Sequence, residues 1–291
     1  MRIDDLLDSS PVLARRAHPQ HARTLQRAAS AGYVVPVLPG VYARRDLAGE
    51  PETRLVAVTA WSPHGVVHAR TAIELFCGTR ISMPVQLRSP NRAAPVPWLE
   101  VTRGQVPPEF RRRYRGVRTA TPAYACLEVA STDRGEAAFE FLRRRLVRPA
   151  ELEAALPAFE GTRGNAERRR VAARAIRNPW SVAEARLQDL LTGAGITGWV
   201  ANQPLRIGPA LLFPDVWFRE LGLVVEFDGE ASHSDHAQFE GDRWRQNLMV
   251  TAGLMVLRIT WQMLGETPLR VIQLVQAAIA LARSGHRSPG M

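Results

Sequence analysis

Two acidic residues, Asp215 and Glu226, have the spacing of a metal site built on one β-hairpin. If the chain turns through a two-residue loop at 220–221, Trp217 pairs with Val224 and Asp215 lies directly opposite Glu226. Side chains at directly opposed positions stand about 4.5–5.5 Å apart at Cβ, and two carboxylates at that distance repel each other. The hairpin therefore predicts a cation between these two acids.

Hard divalent cations such as Mg²⁺ or Mn²⁺ are bound by one or two carboxylates together with water and substrate phosphate. Asp228 lies on the same strand face as Glu226, because side chains alternate along a strand. The remaining positions of this strand are strongly apolar, which favours a buried sheet. The alternative is an exposed, solvated sheet face whose register differs by one residue.

The elements around this hairpin are predicted from periodicity and capping signals. Ser181 begins an amphipathic helix over residues 182–194, with Glu184 three residues after the cap, as in a capping box. A second helix, residues 237–252, ends before Gly253. Strands are expected at residues 203–207, 211–217, 223–228 and 255–259. The pattern predicts a mixed sheet flanked by helices.

Several motifs of this region occur together and in order: Pro214-Asp215, Val225-Glu226-Phe227-Asp228-Gly229, His233, Asp242-Arg243-x-Arg245 and Val256-Leu257-Arg258-Ile259-Thr260-Trp261. Over about residues 181–264 the chain resembles the PD-(D/E)XK nuclease superfamily, and more closely the proteins related to very-short-patch-repair endonucleases. The resemblance implies a restriction-endonuclease-like fold that hydrolyses DNA. It also implies that Asp215 and Glu226 hold Mg²⁺ or Mn²⁺, while Glu184 orients the metal or binds it through water.

One position departs from the superfamily's pattern. Where a Lys usually follows the second acid by two residues, this chain has Asp228, and it contains no Lys at all. The very-short-patch enzymes also lack that Lys and use histidines, one of which aligns with His233. By this resemblance His233 is a proton carrier, and the alternative is a surface-loop histidine.

The helix that follows carries further candidate residues. Arg243 or Arg245 is expected to clamp a phosphate of DNA, and Asp242 to orient His233. The alternative for these charges is a structural ion pair.

Near the N-terminus, a helix over 21–31 precedes two strands, 33–38 and 41–43, which flank the turn Pro39-Gly40. This order resembles a winged helix-turn-helix, and the run ending in Gly40-Val41-Tyr42 resembles the wing of AbiEi-type antitoxins. The resemblance favours DNA contacts from Arg23 and Arg27. The alternative is a small hairpin packed on one helix, without a DNA role.

The segment Val67–Gly78 continues the antitoxin resemblance, and within it His68 is expected to cap the next helix. Neither an acid nor a histidine lies near His68 at metal-ligand spacing, which argues against a ligand role.

The whole chain of 291 residues predicts four segments of α+β and α/β character. These are a winged-helix-like DNA-binding domain at 1–50, an antitoxin-like α+β region at 51–156, an Arg-rich linker and helix at 157–180, and a nuclease-like domain at 181–283.

Charge and cysteine content narrow the function classes. Residues 1–180 carry 29 Arg and 17 acidic residues, a net charge of +12, whereas residues 181–291 carry 9 Arg and 11 acidic residues, a net charge of −2. This basicity suits a polyanion such as DNA. Cys77 and Cys126 alone form neither a disulfide framework nor a Cys-based zinc site, and no signal-peptide or membrane-spanning pattern is present. We therefore expect a cytoplasmic protein without a membrane role.

The sequence favours a Mg²⁺-dependent endodeoxyribonuclease. The principal alternative is a DNA-binding transcriptional regulator or antitoxin whose nuclease-like domain is not catalytic, with promoter DNA or a toxin as partner. A third candidate is an RNA nuclease.

Overall fold

The computed structural model describes Leu7 and residues 10–90, 96–228 and 236–285; for residues 236–240 and 285 it describes only the backbone. The fold is mixed α+β. The chain divides into two compact units, each made of two pieces of sequence. The first unit consists of Met1–Ser131 and Ala154–Arg163, and the second of Thr132–Glu153 and Gly164–Met291.

The first unit begins with a three-stranded antiparallel sheet of order β1-β3-β2. Its elements are β1 (Val12–Ala14), α1 (Ala22–Ser30), β2 (Val34–Leu38) and β3 (Val41–Arg44), with 3-10 turns at Arg15–Ala17 and Pro19–His21. The predicted helix and the hairpin around Pro39-Gly40 are confirmed. Leu13, Leu25 and Val34 are buried together, which packs α1 against the sheet.

A five-stranded mixed sheet of order β6-β5-β4-β8-β7 forms the rest of this unit. Its elements are α2 (Pro51–Trp61), β4 (Val66–Val67), α3 (Ala69–Cys77), β5 (Val85–Ser89), β6 (Leu99–Arg103), β7 (Arg111–Tyr114), β8 (Val117–Ala120) and α4 (Pro122–Asp133), with 3-10 turns at Pro108–Phe110 and Leu156–Phe159. Helix α2 contacts strands of both sheets and so joins them into one unit.

The second unit is built on a three-stranded mixed sheet, in which β11 pairs antiparallel with β12 and β12 pairs parallel with β13. Its elements are α5 (Glu136–Arg143), α6 (Pro149–Ala155), α7 (Asn165–Ala175), α8 (Val182–Gly193), β9 (Leu205–Ile207), β10 (Ala210–Leu212), β11 (Val216–Phe218), β12 (Leu223–Asp228), α9 (His236–Thr251), β13 (Met255–Thr260), α10 (Trp261–Glu266) and α11 (Pro268–Gly285). Strands β9 and β10 form a separate two-stranded hairpin.

Leu223 and Val225 of β12 are fully buried with Leu187 of α8 and Val271 of α11. Alternation along the strand therefore places Glu226 and Asp228 on the opposite face. Arg245 of α9 reaches Glu226, so α9 covers that face. The hydrophobic core thus holds one face of β12, and the polar candidate residues occupy the other.

Two local predictions were wrong. The strand expected at 211–217 is interrupted at 213–215, where Pro214 lacks the N–H that a continuous ladder requires. The loop expected at 220–221 instead spans residues 219–222 and contains a 3-10 turn, Arg219–Leu221, closed by Gly222 at a φ of 59°. The longer loop leaves the predicted register unchanged, because Trp217 still pairs with Val224.

Within the described residues, no helix is both long enough and apolar enough to cross a bilayer.

Candidate functional site

Asp215 and Glu226 meet at the end of the β11–β12 hairpin, as the register predicts. Val216 pairs with Val225, so the next residues outward along the two strands are Asp215 and Glu226. The Asp215 Oδ2 atom accepts a hydrogen bond from the Phe227 backbone N–H at 2.7 Å. This bond holds the Asp215 carboxylate against the strand that carries Glu226.

Glu184 is held at the N-terminus of α8 by several hydrogen bonds. The Ser181 hydroxyl caps the helix by accepting from the Glu184 N–H at 3.1 Å. In return the Glu184 carboxylate accepts from the Ser181 hydroxyl at 3.1 Å and from the Trp180 N–H at 2.8 Å. The Asn202 side-chain amide adds a donor at 2.6 Å. The reciprocal hydrogen bonds expected of a capping box therefore form, except that the Glu184 carboxylate accepts from the N–H of Trp180, one residue before the cap.

The three carboxylates influence each other's ionisation. Burial raises the pKa of Asp215 well above its usual value, and the negative charges of Glu226 and Glu184 raise it further. Burial also raises the pKa of Glu226, which Arg245 counteracts, and raises the pKa of Glu184. The site thus gathers more negative charge than its own cations neutralise.

Two arginines compensate part of this charge. An Nη2 atom of Arg245 lies 3.0 Å from a Glu226 carboxylate oxygen and also donates to the Phe213 carbonyl at 2.7 Å. Arg258 of β13 lies beside Glu226 in the parallel register and donates to Asp228 at 2.9 Å. The ion pair expected as the alternative role of Arg245 is therefore present.

Arg258 and Asn202 are the residues of this site to which sequence reasoning gave no role. Arg258 stands in a strand motif but contacts Asp228 only because β13 pairs in parallel with β12. Asn202 is buried, and it adopts a φ of 50°, which Asn tolerates better than most residues. An Asn after a helix is a weak signal, and nothing in the sequence connects it to Glu184.

Four other predicted residues are exposed at the surface. Asp242 and Arg243 are exposed on α9, and Arg23 and Arg27 are exposed on α1. His233 lies outside the described residues, so its predicted contact with Asp242 is not described either.

The donor set fits a divalent cation held by two carboxylates. Among the residues that the structure describes, no group of three or more His, Cys, Asp or Glu side chains could hold a metal ion. Mg²⁺ commonly uses only one or two carboxylates, with water and substrate phosphate completing its coordination. Asp215 and Glu226 are adjacent, and Arg245 compensates only part of their charge, which matches that mode. Three donors already occupy Glu184, which suits a positioning role.

A second buried polar cluster lies in the first unit, around His68. Its Nδ1 atom is 2.9 Å from Glu128, which also accepts from the Ala69 N–H at 3.0 Å and pairs with Arg88. His68 occupies the N-cap position of α3, as expected, but its side chain makes no capping hydrogen bond and contacts Glu128 instead. Glu128 lies 60 residues further along the chain, beyond the reach of any spacing argument, and it provides the cap at this helix start.

Comparisons of the chain with family models, with curated proteins and with solved structures found no match.

Proposed function

We propose that the protein is a metal-dependent endonuclease that hydrolyses DNA phosphodiester bonds at the Asp215–Glu226 site. The observation that carries this proposal is the opposed pair of carboxylates, whose pKa values are raised and which Arg245 only partly neutralises. Burying such a pair is costly unless a cation and an anionic substrate complete the arrangement. The order of elements and motifs in the second unit supports a restriction-endonuclease-like fold.

In this proposal Asp215 and Glu226 hold Mg²⁺ or Mn²⁺. The ion, when bound, supplies Lewis-acid activation of a water and neutralises charge on the phosphate. Glu184, fixed by Asn202 and Ser181, orients the pair through its negative charge. His233 is proposed to carry a proton to the leaving oxygen, with Asp242 orienting it.

The cationic role that Lys has in related nucleases is assigned here to Arg245 and Arg258. Each guanidinium has a buried Nε atom without a hydrogen-bond partner among the described residues. The two side chains are 33% and 29% exposed, so the outer part of each guanidinium can meet a phosphate oxygen, and Arg forms such bonds with a favourable planar geometry. Arg243, exposed on the same helix as Arg245, is proposed to contact the flanking DNA backbone.

The test is plasmid cleavage with Mg²⁺ or Mn²⁺, comparing the unchanged protein with Asp215→Asn and Glu226→Gln. The matched control is Glu220→Gln, because Glu220 is an exposed acid in the loop of the same hairpin. We expect both site variants to lose cleavage by at least about a hundredfold, as is typical when charge stabilisation at a reacting centre is removed. The control should cleave normally. Equal activity of all four proteins would refute the proposed site.

The second candidate function is a DNA-binding regulator or antitoxin that does not cleave DNA. The ion pairs Arg245–Glu226 and Arg258–Asp228 support it, because they compensate part of the charge of two acids without any metal. The order β1, α1, β2, β3 supports a winged-helix interpretation of the first unit, with Arg23 and Arg27 toward promoter DNA and a toxin as a further partner. Binding to its own promoter without cleavage under any divalent metal would favour this candidate.

A further inference from the structure

A hairpin in the first unit carries an unusual concentration of positive charge. Strands β7 and β8 and their turn, residues 111–120, form this basic hairpin, which contains five arginines. The arginines are Arg111, Arg112, Arg113, Arg115 and Arg118. Strand β7 is an edge of the five-stranded sheet, so the hairpin presents one row of backbone groups and several guanidinium groups at that edge.

The turn of the basic hairpin is tight, and its tip is charged. Tyr114 pairs with Val117, leaving Arg115 and Gly116 as the two central residues at φ values of 48° and 77°. Positive φ at both positions is the pattern of a type I′ turn, the usual two-residue hairpin connection. Gly tolerates this conformation readily, whereas Arg does so at a cost.

Two arginines of this hairpin face each other directly. Arg113 of β7 pairs with Arg118 of β8, so their side chains project from the same face at adjacent positions. Directly opposed like charges destabilise a sheet. This arrangement costs free energy in the isolated protein, and an anion lying against it would offset that cost.

Four charges of the basic hairpin have no acidic partner in the part of the chain that the structure describes. Among the described residues, no carboxylate lies within ion-pair distance of Arg112, Arg113, Arg115 or Arg118. By contrast, Arg70, Arg143, Arg148 and Arg170 each pair with a glutamate three or four residues away. Arg112 and Arg115 instead lie 5.8 and 5.5 Å from the centre of the Tyr114 ring. Stacking on an aromatic ring holds a guanidinium in place without neutralising it.

Charged residues also protect sheet edges from aggregation, which is the competing explanation. The opposite edge of the same sheet, β6, provides the comparison, because its five residues include one acid, Glu100, and one base, Arg103. Strand β6 therefore presents one charge of each sign along its edge. Strand β7, the edge strand of the basic hairpin, carries three arginines and no acid, so its charge is of one sign alone.

We propose that the basic hairpin binds the phosphate backbone of duplex DNA, as a second DNA contact separate from the hydrolytic residues. Guanidinium groups fork onto phosphate oxygens, and a regular anionic lattice neutralises opposed arginines better than a single small ion does. The identification of the anion as DNA rests on the proposed function. The argument that the hairpin binds a polyanion comes from its own charges and does not depend on that function.

The test measures binding of the full chain to a duplex oligonucleotide in EDTA over a series of salt concentrations. The variant is Arg113→Gln with Arg118→Gln. We expect affinity to fall roughly ten- to a hundredfold at moderate salt, and the slope of log affinity against log salt to become shallower by about 2, close to 0.9 for each phosphate that the variant no longer neutralises. Its melting temperature should stay equal or rise, because the opposed charges are removed.

The matched control is Arg148→Gln with Arg170→Gln, which removes the same charge from exposed arginines that pair with Glu151 and Glu167. Unchanged binding by the hairpin variant, or an equal loss in the control, would overturn the proposal. An equal loss for single-stranded RNA and for duplex DNA would overturn duplex DNA as the partner. EDTA prevents hydrolysis, so the binding measurement does not depend on whether Asp215 supports cleavage. In the same way, loss of hairpin binding would not by itself refute Asp215-dependent cleavage.

Discussion

Asp215 is the residue on which the chemistry of the candidate site depends. Its carboxylate is tied to the Phe227 N–H, and it faces the charges of Glu226 and Glu184. The carboxylates of this site repel one another, because three acids share one region and Arg245 is paired with only one of them. A bound divalent cation would relieve the repulsion, and protonation relieves it when no metal is present.

The raised pKa of Asp215 predicts how stability changes with pH in metal-free buffer. Below its usual pKa of 3.8 the group is protonated in both the folded and the unfolded chain. Between 3.8 and the raised pKa the folded state binds more protons, so the free energy of unfolding falls as pH rises through this window. Above the raised pKa the whole of this decrease in the free energy of unfolding is present.

Asp215→Asn removes the charge that lowers the free energy of unfolding at high pH. We therefore expect the variant to melt a few degrees higher than the unchanged protein at pH 7 in EDTA. About 1 kcal/mol corresponds to roughly 2–4 °C in a chain of ~150–250 residues. Near pH 3 the two proteins should melt alike, and Mg²⁺ at pH 7 should stabilise only the unchanged protein. Differential scanning calorimetry measures this, with Glu220→Gln as the control that changes nothing. A lower melting temperature of Asp215→Asn at pH 7 would show that the charge is already compensated.

Arg245 competes with a metal for Glu226, which leads to a second expectation. Arg245→Gln should bind Mn²⁺ more tightly, by roughly two- to fivefold, if the partly exposed pair contributes up to about 1 kcal/mol. Titration calorimetry measures the affinity. The control is Arg243→Gln, an exposed position on the same helix. Weaker metal binding by Arg245→Gln would mean that Arg245 and the ion do not compete.

At the scale of elements, α8 and the β11–β12 hairpin place the acids by independent means. The hairpin does so through its strand register, which is as predicted although the loop is longer than expected. The helix does so through its first turn, where the Ser181 cap and the Asn202 amide hold Glu184. The interruption at 213–215 also contributes, because it frees Asp215 from a ladder and lets its side chain accept from Phe227.

The cap of α8 can be tested against a cap elsewhere in the same unit. Ser181→Ala should lower the free energy of unfolding by about 1 kcal/mol, and Thr260→Ala, which removes the cap of α10, should do the same. Urea denaturation measures both changes. Only Ser181→Ala should also weaken metal binding or cleavage, because only that hydroxyl contacts the Glu184 carboxylate. If the two variants lose activity equally, Glu184 has no positioning role.

At the scale of the whole molecule, the two units are discontinuous in sequence. Residues 132–153 belong to the second unit, where the Val182 N–H donates to Glu136 and α5 contacts α7. The sequence places the start of a linker segment at residue 157, whereas the contacts group the chain into units that change at residues 131, 153 and 163. The division into four segments remains a prediction.

This organisation predicts which fragments fold. A fragment of residues 132–291 should unfold in one cooperative transition, because it contains both pieces of the second unit. A fragment of residues 181–291 should be less stable or only partly folded, since it lacks α5 and α7. Circular dichroism during urea denaturation distinguishes them. Equal stability of the two fragments would mean that α5 and α7 contribute nothing to the fold of the second unit.

Those features of the site that depend on residues close together in the chain followed from the sequence. Alternation and turn position were sufficient to pair Trp217 with Val224 and so to bring Asp215 beside Glu226. The Ser181 cap placed Glu184 at a helix start. Both depend on local periodicity and on hydrogen bonds within a few residues.

The partners of these acids depend instead on how the elements pack in three dimensions. Arg245 and Glu226, Arg258 and Asp228, Asn202 and Glu184, and Glu128 and His68 are between 18 and 60 residues apart. Such pairs form where packing of the core sets one element beside another, and many positions in a chain with 38 arginines satisfy the same charge rule. For that reason composition indicated a basic protein, while the fold selected which arginines neutralise acids and which, on the basic hairpin, remain without an acidic partner among the described residues.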